Sequence, residues 1–543
     1  MTTGLDHAEA LRWDPPGPGS WQLLADHYPR PITAAMAPFL DVWSRETTAF
    51  MKNVGMPLEE ARMATVNGLP YLTFIVAGGG KKPPPPWAMK LAMRVVPSLR
   101  RAEKRLAEVF EERPWVAGIA QWYDVDRAAA LDRMVAITRL DIEALDDAEL
   151  ADHVRHCEHE VLRSAGEHIA LHGHDSVAPG LFAVRAMELG LDLQTATGLL
   201  RGASPTSRGT SPELEALRAA VAGRSAASLE DLAALGPEVA DALNTFLELH
   251  GWRIVDGYDV DCVTLGEVPS LVLALALAPP IEQLDDFGER LNQVRASIPA
   301  GRRAEFDQLR RDLDEARSAY GVRDDNSSIL IAWAGGLLRR ALLACGHRLV
   351  ERDRLPDASL AIEATPAELA AALLAERPVD SAALMARAAH RSSLRAADAP
   401  RTLGPIEPPP PDDMPGALGL FFKALLVFGL GTAEQTEELQ GMGIGNTSYR
   451  GRARLVTGCG EGFDRFEPGD VLVAPMTSPS YNVLFSLAGA VVTEEGGAMS
   501  HAAIMARELD LPAVIGAPGA TTLLGDGDLV IVDPVAGRVI VES

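Results

Sequence analysis

Cysteine is scarce in this chain. The four cysteines among its 543 residues are widely separated and form no Cys-x-x-Cys pair: Cys157, Cys262, Cys345 and Cys459. A disulfide-stapled domain or a zinc knuckle needs cysteines in close, regular pairs. We therefore expect reduced thiols and no structural metal.

Aromatic side chains and basic charge are also in short supply. Aromatic residues make up 5% of the chain, which argues against an extensive stacking site, although a few would suffice for a planar ligand. Lysine and arginine number 50 against 75 aspartates and glutamates, a net charge of -25. Because general binding to nucleic acid or anionic membranes requires a basic footprint, neither partner is expected.

The sequence also lacks a long apolar run. The longest such stretch, Val268–Pro280, is too short to cross a bilayer. The N-terminus carries Asp6, Glu9 and Asp14 where a signal peptide would have basic and then apolar residues. With 47% hydrophobic residues, the composition fits a soluble globular protein, which we expect to be cytoplasmic.

The length and the local patterns predict a multidomain protein. At 543 residues, roughly two or three domains are expected. Helical periodicity dominates residues 1–395, which we predict to be a mostly α-helical body. Residues 396–442 contain Pro405 and the run Pro408–Pro411, so they are predicted to be a proline-rich linker with a connecting helix. Short strands then predict a compact α/β domain over 443–543, at Ala453–Val456, Val471–Ala474, Ala490–Thr493, Ala513–Ile515, Leu529–Val532 and Val539–Val541.

Histidines are concentrated in one predicted helix of the body, at about 146–172. Six of the twelve histidines occur in or just after it: His153, His156, His159, His168, His172 and His174. His168 and His172 are four residues apart and share one side of a helix, yet no His-Glu-x-x-His metal motif is present. They are either polar-face and edge residues, or they line an acceptor pocket as general bases.

A second polar concentration follows a predicted helix that ends at His250. His250, Arg253 and Asp259 supply a base, a cation and a carboxylate within ten residues. They form either a buried polar loop that ties helices together or part of a substrate site, with His250 as a further candidate base and Arg253 and Asp259 as candidate substrate-binding residues. The sequence leaves both interpretations open.

The stretch Thr493–Glu508 is read as the end of a strand, a glycine loop and the start of a helix. Gly496 and Gly497 let the backbone turn sharply and approach a ligand closely. Ser500 is a candidate N-cap, which places His501 in the first helical turn, where anions are favoured. An isolated histidine there is usually only a capped surface residue. The alternative is a nucleophile that carries a phosphoryl group.

Three motifs around this histidine carry a family resemblance. In order, Phe466–Ser480, Thr493–Gly516 and Gly525–Asp533 closely resemble the swivelling phosphohistidine domain of phosphoenolpyruvate-utilising enzymes. That family includes phosphoenolpyruvate synthase, pyruvate phosphate dikinase and the rifampin phosphotransferases. The resemblance covers about 443–541 and implies that His501 is the phosphorylated residue. The expected phosphate partners are Gly496, Gly497, Ser500, Thr477 and Arg507.

The resemblance also implies where the phosphoryl group comes from and goes to. One-chain relatives pair this domain with an ATP-grasp domain or a C-terminal barrel, and neither is recognisable here. The glycine-rich stretch Gly78–Pro86 lacks the phosphate-loop spacing, and its prolines cannot donate amides. We expect a phosphotransferase component charged by a separate ATP-grasp partner with Mg-ATP, with the body binding a hydroxylated small molecule. Leu249–Asp261 resembles the His-Gly-His-Arg segment of rifampin phosphotransferases, but Trp252 replaces the second histidine.

Two other classes of function are weighed against this one. The chain would be a phosphocarrier or regulatory protein if the body bound a protein instead of a small molecule. It would be a degenerate binding protein if the chemistry had been lost, which the intact glycine–serine–histidine series argues against. A complete phosphoenolpyruvate synthase is disfavoured because no barrel is recognisable.

Overall fold

The chain forms a mostly helical body followed by a C-terminal α/β domain, which confirms the predicted fold class. The structure, a computed structural model, describes residues 11–542 except 26, 57, 77–90, 92–94, 205–210, 256, 280–286, 407–413, 428–438, 459–461, 464 and 479–480. The glycine-rich stretch 78–86 and the prolines at 408–411 lie outside the described residues.

The body is built from α-helices over residues 39–427. In order they are Phe39–Asn53, Pro97–Glu112, Pro114–Gln121, Arg127–Thr138, Asp147–Asp175, Val177–Glu188, Leu193–Gly198, Pro212–Val221, Leu229–Ala234, Pro237–His250, Pro269–Leu277, Phe287–Ser297, Arg303–Tyr320, Val322–Asn326, Ala334–Val350, Pro366–Leu373, Ser381–Ser393 and Gly416–Val427. Two π-helical segments, Trp122–Asp126 and Ser327–Trp333, interrupt this pattern. Such segments often mark functional positions in helices.

The histidine-rich helix is Asp147–Asp175, close to the predicted range. It begins with a capping box in which Asp146 accepts a hydrogen bond from the Glu149 amide and the Glu149 carboxylate accepts one from the Asp146 amide. This reciprocal cap satisfies two backbone donors that the first turn would otherwise leave unpaired. The helix packs in the body's main hydrophobic cluster, and its residues Leu150, Val154 and Ala165 are fully buried.

The second long helical run, Ala300–Val350, is apolar enough to span a membrane by length and composition. However, 78% of its most apolar window is buried inside the protein, as in the core helix of a soluble protein. The π-helical segment Ser327–Trp333 lies within this run and follows Asp324, Asp325 and Asn326. These three polar side chains are all buried.

A small antiparallel sheet at the start of the body was not predicted. Its strands are β1 (Trp21–Leu23), β2 (Leu58–Val66), β3 (Leu69–Val76) and β4 (Thr402–Leu403), in the order β2-β3-β1-β4. The turn between β2 and β3 is Asn67-Gly68, with φ of 52° and 83°, as a two-residue hairpin requires. Residues 402–403 fall in the predicted linker, yet they pair with β1 of the body.

The C-terminal domain contains a seven-stranded sheet in the order β11-β10-β6-β7-β8-β9-β5. The strands are β5 (Met442–Ile444), β6 (Tyr449–Leu455), β7 (Val471–Ala474), β8 (Ala490–Thr493), β9 (Ala513–Ile515), β10 (Leu529–Asp533) and β11 (Arg538–Val541). All six predicted strands are present, and β5 is additional. Because β6, β7, β8 and β9 are parallel, the loops after β7 and β8 leave the same edge of the sheet. The domain also contains three short helices, Asn482–Phe485, His501–Glu508 and Ala520–Leu523.

The C-terminal domain packs directly on the body. Met499 and Ile504 belong to a hydrophobic cluster formed largely by body residues, including Phe182 and Leu199. At the edge of this contact, both carboxylate oxygens of Glu508 lie 2.9 Å from the Gly202 amide nitrogen, which donates to them. The helix His501–Glu508, called the histidine helix below, is therefore seated against the body.

Candidate active site

The loop after β8 makes a sharp turn that requires glycine. Gly496 has a φ of 122°, and a Cβ built on it would lie 2.8 Å from the Ser500 hydroxyl oxygen. Any larger residue would combine backbone strain with a clash against the helix cap. The first glycine of the pair thus fixes the path of the chain into the histidine helix.

Ser500 caps the histidine helix as predicted. Its hydroxyl oxygen accepts a hydrogen bond from the Ala503 amide at 3.4 Å, and the Ser500 amide itself donates to the Gly497 carbonyl at 3.0 Å. The cap places His501 at the first helical position, near the positive end of the helix dipole. All eight residues of this short helix are buried.

His501 is enclosed between the two parts of the chain. Its side chain is 5% exposed, and its Nδ1 lies 3.6 Å from Oδ1 of Asp324, a body residue whose side chain is 3% exposed. The Phe485 ring meets the imidazole edge-on, with ring centroids 5.6 Å apart. The other nitrogen, Nε2, is buried and has no hydrogen-bond partner among the described residues. An unpaired buried nitrogen of this kind is a candidate nucleophile.

Two of the predicted phosphate partners also have unpaired polar atoms. The hydroxyl of Thr477 is buried without a hydrogen bond within the described part of the chain. Its loop runs beside the glycine loop, since the Glu495 amide donates to the Pro475 carbonyl at 2.9 Å. Arg507 donates from one nitrogen to the Ala498 and Ala503 carbonyls, while its Nη2 is buried and has no hydrogen-bond partner within the described ranges. Burial lowers the pKa of Arg507.

The body wall opposite His501 joins the two π-helical segments. Asp325, next to Asp324, accepts hydrogen bonds from Arg127 at 2.7 and 3.1 Å. It also accepts one from the Trp122 indole at 3.1 Å, and Trp122 begins the other π-helical segment. The first π-helical segment and the short helix Val322–Asn326, which precedes the second, are therefore joined by one buried carboxylate beside the residue that faces His501.

His250 lies near Arg253, whose guanidinium packs over Trp333 of the second π-helical segment. Its Nε2 donates to the Glu213 carboxylate at 3.0 Å, and burial lowers the pKa of His250 to about 4. The hydrogen bond from His250 lowers the pKa of Glu213 to about 2. At neutral pH the pair is therefore a neutral imidazole on an ionised carboxylate. Nδ1 of His250 has no hydrogen bond among the described residues, so it can accept a proton.

Arg253 supplies a cation beside this pair. It donates to the Ser328 hydroxyl at 2.7 Å and lies over the Trp333 ring at 5.1 Å. Its Nε is buried without a partner in the part of the chain that the structure describes. Burial lowers the pKa of Arg253 to about 10, so the side chain remains charged at neutral pH.

The other two candidate bases form a chain of hydrogen bonds. His168 Nδ1 lies within hydrogen-bonding distance of the Asn326 amide oxygen, the Nε2 atoms of His168 and His172 are 3.0 Å apart, and His172 Nδ1 lies 3.1 Å from the Asp175 carboxylate. Both nitrogens of each ring are engaged. Burial lowers the pKa of His168 well below its usual value.

Asp259 is held by body residues. Its carboxylate accepts hydrogen bonds from the Thr33 amide at 2.7 Å and the Thr33 hydroxyl, and lies 3.8 Å from Arg391. Burial, together with the neighbouring carboxylate of Asp261, raises the pKa of Asp259 to about 7. These contacts tie the loop after His250 to the N-terminal segment. The substrate-binding role of Asp259 stays a prediction.

The sequence analysis missed Asp324, Asp325, Glu213 and Arg127. A signal for the first two was present, because the polar run Asp324–Ser328 directly precedes the apolar run Ile329–Trp333. A run of buried carboxylates at such a boundary indicates an internal site more often than a solvated face. Among the described residues, no group of three or more His, Cys, Asp or Glu side chains is placed to hold a metal ion.

The fold and this site define a class of protein. His501 begins a helix at the carboxyl end of the parallel strands. Its side chain faces polar residues of the helical body. The described residues therefore place a buried histidine of one part of the chain against a buried carboxylate of the other.

Comparison with known proteins gives the family of the C-terminal domain. Residues 466–537 match the PEP-utilising enzyme mobile domain. The domain that carries His501 is therefore similar to the mobile domain of PEP-utilising enzymes, in agreement with the resemblance of its motifs.

Several relatives extend beyond this domain. The chain is 30% identical over 318 residues to the phosphotransferase YvkC of Bacillus subtilis, covering 55% of this chain and 36% of the relative. It is 27% identical over 322 residues to rifampicin phosphotransferase of a Streptomyces species, covering 56% and 35%. Phosphoenolpyruvate synthase of Neisseria meningitidis is 42% identical over 104 residues, covering 19% and 13%. The chain thus covers little more than a third of the two phosphotransferases and 13% of the phosphoenolpyruvate synthase, and the similarity supports phosphoryl transfer in general.

Proposed function

We propose that this chain is a phosphotransferase component in which His501 carries a phosphoryl group to a hydroxylated small molecule bound by the body. The observation that carries the proposal is the burial of His501 against Asp324, because it places the nucleophile of one domain at a polar wall of the other. Rifampicin phosphotransferase and YvkC, to which the chain is similar over more than half its length, fit the same reaction class.

The acceptor site is proposed to lie along the body wall that contains Arg127, Arg253 and His250. Two π-helical segments and several charged side chains converge there, which is the usual make-up of a ligand site. The cationic groups would hold an anionic or strongly polar acceptor near the phosphoryl group. Exclusion of water by the packed domains would limit wasteful hydrolysis.

His250 is the proposed base for the acceptor hydroxyl. It is neutral at neutral pH, and its Nδ1 can accept a proton while Glu213 holds its Nε2. His168 and His172 are weaker candidates, because contacts already occupy both nitrogens of each ring. Through the contact between His168 and Asn326, they are better suited to hold the segment Asp324–Asn326 in position.

Charging of His501 is proposed to occur elsewhere. In the arrangement described here His501 is enclosed by the body, so a nucleotide would have to reach it after the C-terminal domain leaves. We propose that a separate ATP-grasp protein binds Mg-ATP and phosphorylates His501 in that second arrangement, in the cytoplasm. Nothing in the sequence has the spacing of a phosphate-binding loop.

The test is a labelling experiment with γ-labelled ATP and magnesium. The purified chain is incubated with these alone, with an ATP-grasp protein encoded beside it, and with labelled phosphoenolpyruvate as an alternative donor. We expect acid-labile, base-stable label on His501 only when the ATP-grasp protein is present. Label from ATP without any partner would refute the split system.

The matched variants are His501→Ala and His390→Ala. His390 is exposed and donates to the Asn67 carbonyl at 2.9 Å, far from the site, so its loss controls for removal of a histidine in general. We expect the first variant to take up no label and the second to behave as the parent chain. Persistent labelling of His501→Ala would overturn the proposed function.

A further inference from the structure

Asp324 is the body residue that meets the imidazole of His501. The carboxylate oxygen and Nδ1 are 3.6 Å apart and both side chains are buried, so a small rotation of either one gives a hydrogen bond. Because a carboxylate only accepts, such a hydrogen bond would require the proton of a neutral imidazole to be on Nδ1. That tautomer would leave a lone pair on Nε2, the nitrogen that is buried without a hydrogen-bond partner among the described residues.

We infer that Asp324 is a positioning residue that activates the phosphohistidine for discharge when the C-terminal domain docks on the body. This assignment rests on the proposed function and adds to it the group that makes the docked state reactive. Carboxylates orient catalytic imidazoles in the same way in other enzymes, by fixing the tautomer and stabilising the protonated ring.

A carboxylate at Nδ1 of His501 affects the leaving group of the transfer step. The Nε2–phosphorus bond breaks with its electron pair remaining on Nε2, and a bond forms between the acceptor oxygen and phosphorus. The hydroxyl proton of the acceptor passes to the base, His250 in the proposal above. With a proton on Nδ1 the leaving group is a neutral imidazole, whereas without it the leaving group would be an imidazolate anion, which leaves far less readily.

The location of Asp324 makes this effect depend on docking. Asp324 belongs to the helix Val322–Asn326 of the body, whereas His501 belongs to the C-terminal domain. The pair therefore exists only while the two parts are in contact. A phosphohistidine in transit would lack the carboxylate and be less reactive, so phosphate would be released mainly where the acceptor is bound.

The surroundings hold the two side chains in place. Tyr320, one turn before Asp324 on the same helical run, is buried and belongs to the same hydrophobic cluster as Met499 and Ile504. Phe485 packs edge-on against the imidazole. Rigid apolar neighbours of this kind limit rotation of the ring and the carboxylate.

The test separates charging from discharge with Asp324→Asn and Asp324→Glu. Each variant is phosphorylated by the ATP-grasp protein, freed of nucleotide, and followed for first-order loss of label to water and to methanol as a probe acceptor. We expect unchanged charging, and a discharge rate at least about tenfold lower for Asp324→Asn, with partial recovery in Asp324→Glu. Asp312→Asn is the control, because Asp312 is also buried and ion-paired on the same helical run but binds Arg113 and Arg185.

A second readout reports on the tautomer directly. Nitrogen-15 spectra of the histidine-labelled, unphosphorylated chain should show the Nδ1–H form of His501 in the parent and a larger Nε2–H fraction in Asp324→Asn. The Asp312→Asn control should keep the ratio of the parent, which separates loss of the Asp324 carboxylate from a general folding defect. Equal discharge rates in the parent and Asp324→Asn, or an equal loss in Asp312→Asn, would overturn the assignment. If the parent takes up no phosphate at all, the proposed function itself fails.

Discussion

The contact between the histidine helix and the body can be weakened by one substitution, Ile504→Ala. Ile504 is 4% exposed and shares a hydrophobic cluster with Met499 and with body residues that include Phe182 and Leu199. Most of its side chain therefore packs across the contact instead of within its own domain. Truncation should favour separation of the two parts over unfolding of either.

The size of the effect follows from the buried carbon atoms. The substitution removes three carbons, and at about 0.8 kcal/mol each their transfer to water corresponds to about 2.4 kcal/mol. Because about 1.4 kcal/mol is a factor of ten, the docking equilibrium should fall by about 50-fold. A residual cavity would increase the loss.

Hydrogen exchange measures this equilibrium. Amides of the histidine helix should lose protection by about the same factor when separation of the domains limits their exchange, while the strands of the sheet keep theirs. Val473→Ala is the control, because Val473 is fully buried in a cluster made of C-terminal-domain residues alone. It should weaken the sheet and leave the contact intact. Unchanged protection of the histidine helix in Ile504→Ala would refute the view that this contact sets the docked state.

Two further predictions concern stability. His250 has its pKa lowered to about 4 by burial, so the folded chain binds fewer protons than the unfolded chain between about pH 6.5 and 4. The free energy of unfolding should therefore decrease as the pH falls below 6.5, by at most about 3 kcal/mol from this group. Urea midpoints should fall more between pH 7 and 4.5 for the parent than for His250→Gln. Gly68→Ala should destabilise the N-terminal sheet by about 1–3 kcal/mol, because φ is 83° and the new Cβ would lie 2.7 Å from the Pro31 Cβ. Calorimetry should show this loss of stability, and labelling of His501 should be unchanged. Equal melting temperatures of Gly68→Ala and the parent would contradict the prediction.

The features that could be predicted from the sequence were those set by local chemistry. The Ser500 cap and the six predicted strands of the C-terminal domain depend on neighbouring residues, and both are present in the structure. The N-terminal sheet was missed although Asn67-Gly68 is a strong hairpin signal, because the helical periodicity around it dominated the interpretation.

In the candidate site, too, the residues set by local sequence were predicted and the long-range contacts were not. His501, its cap and the glycine turn are contiguous in sequence, so their arrangement follows from one short motif. Asp324 lies 177 positions away, by the difference of the two residue numbers, and its approach to His501 depends on how two domains pack. Neither periodicity nor capping carries that information. The contact between His168 and Asn326 joins residues 158 positions apart, so it too depends on how helices pack.

The contact between His501 and Asp324 indicates which step the docked arrangement favours. A nucleophile that is buried at a polar wall is suited to unloading its phosphoryl group, since the wall can orient both the imidazole and an acceptor. It is poorly suited to loading, because a nucleotide with its metal would need the space that the body occupies. A contact of moderate strength satisfies both needs: the apolar cluster around Ile504 favours docking, and a few hydrogen bonds such as Glu508 to Gly202 fix its orientation without making it permanent.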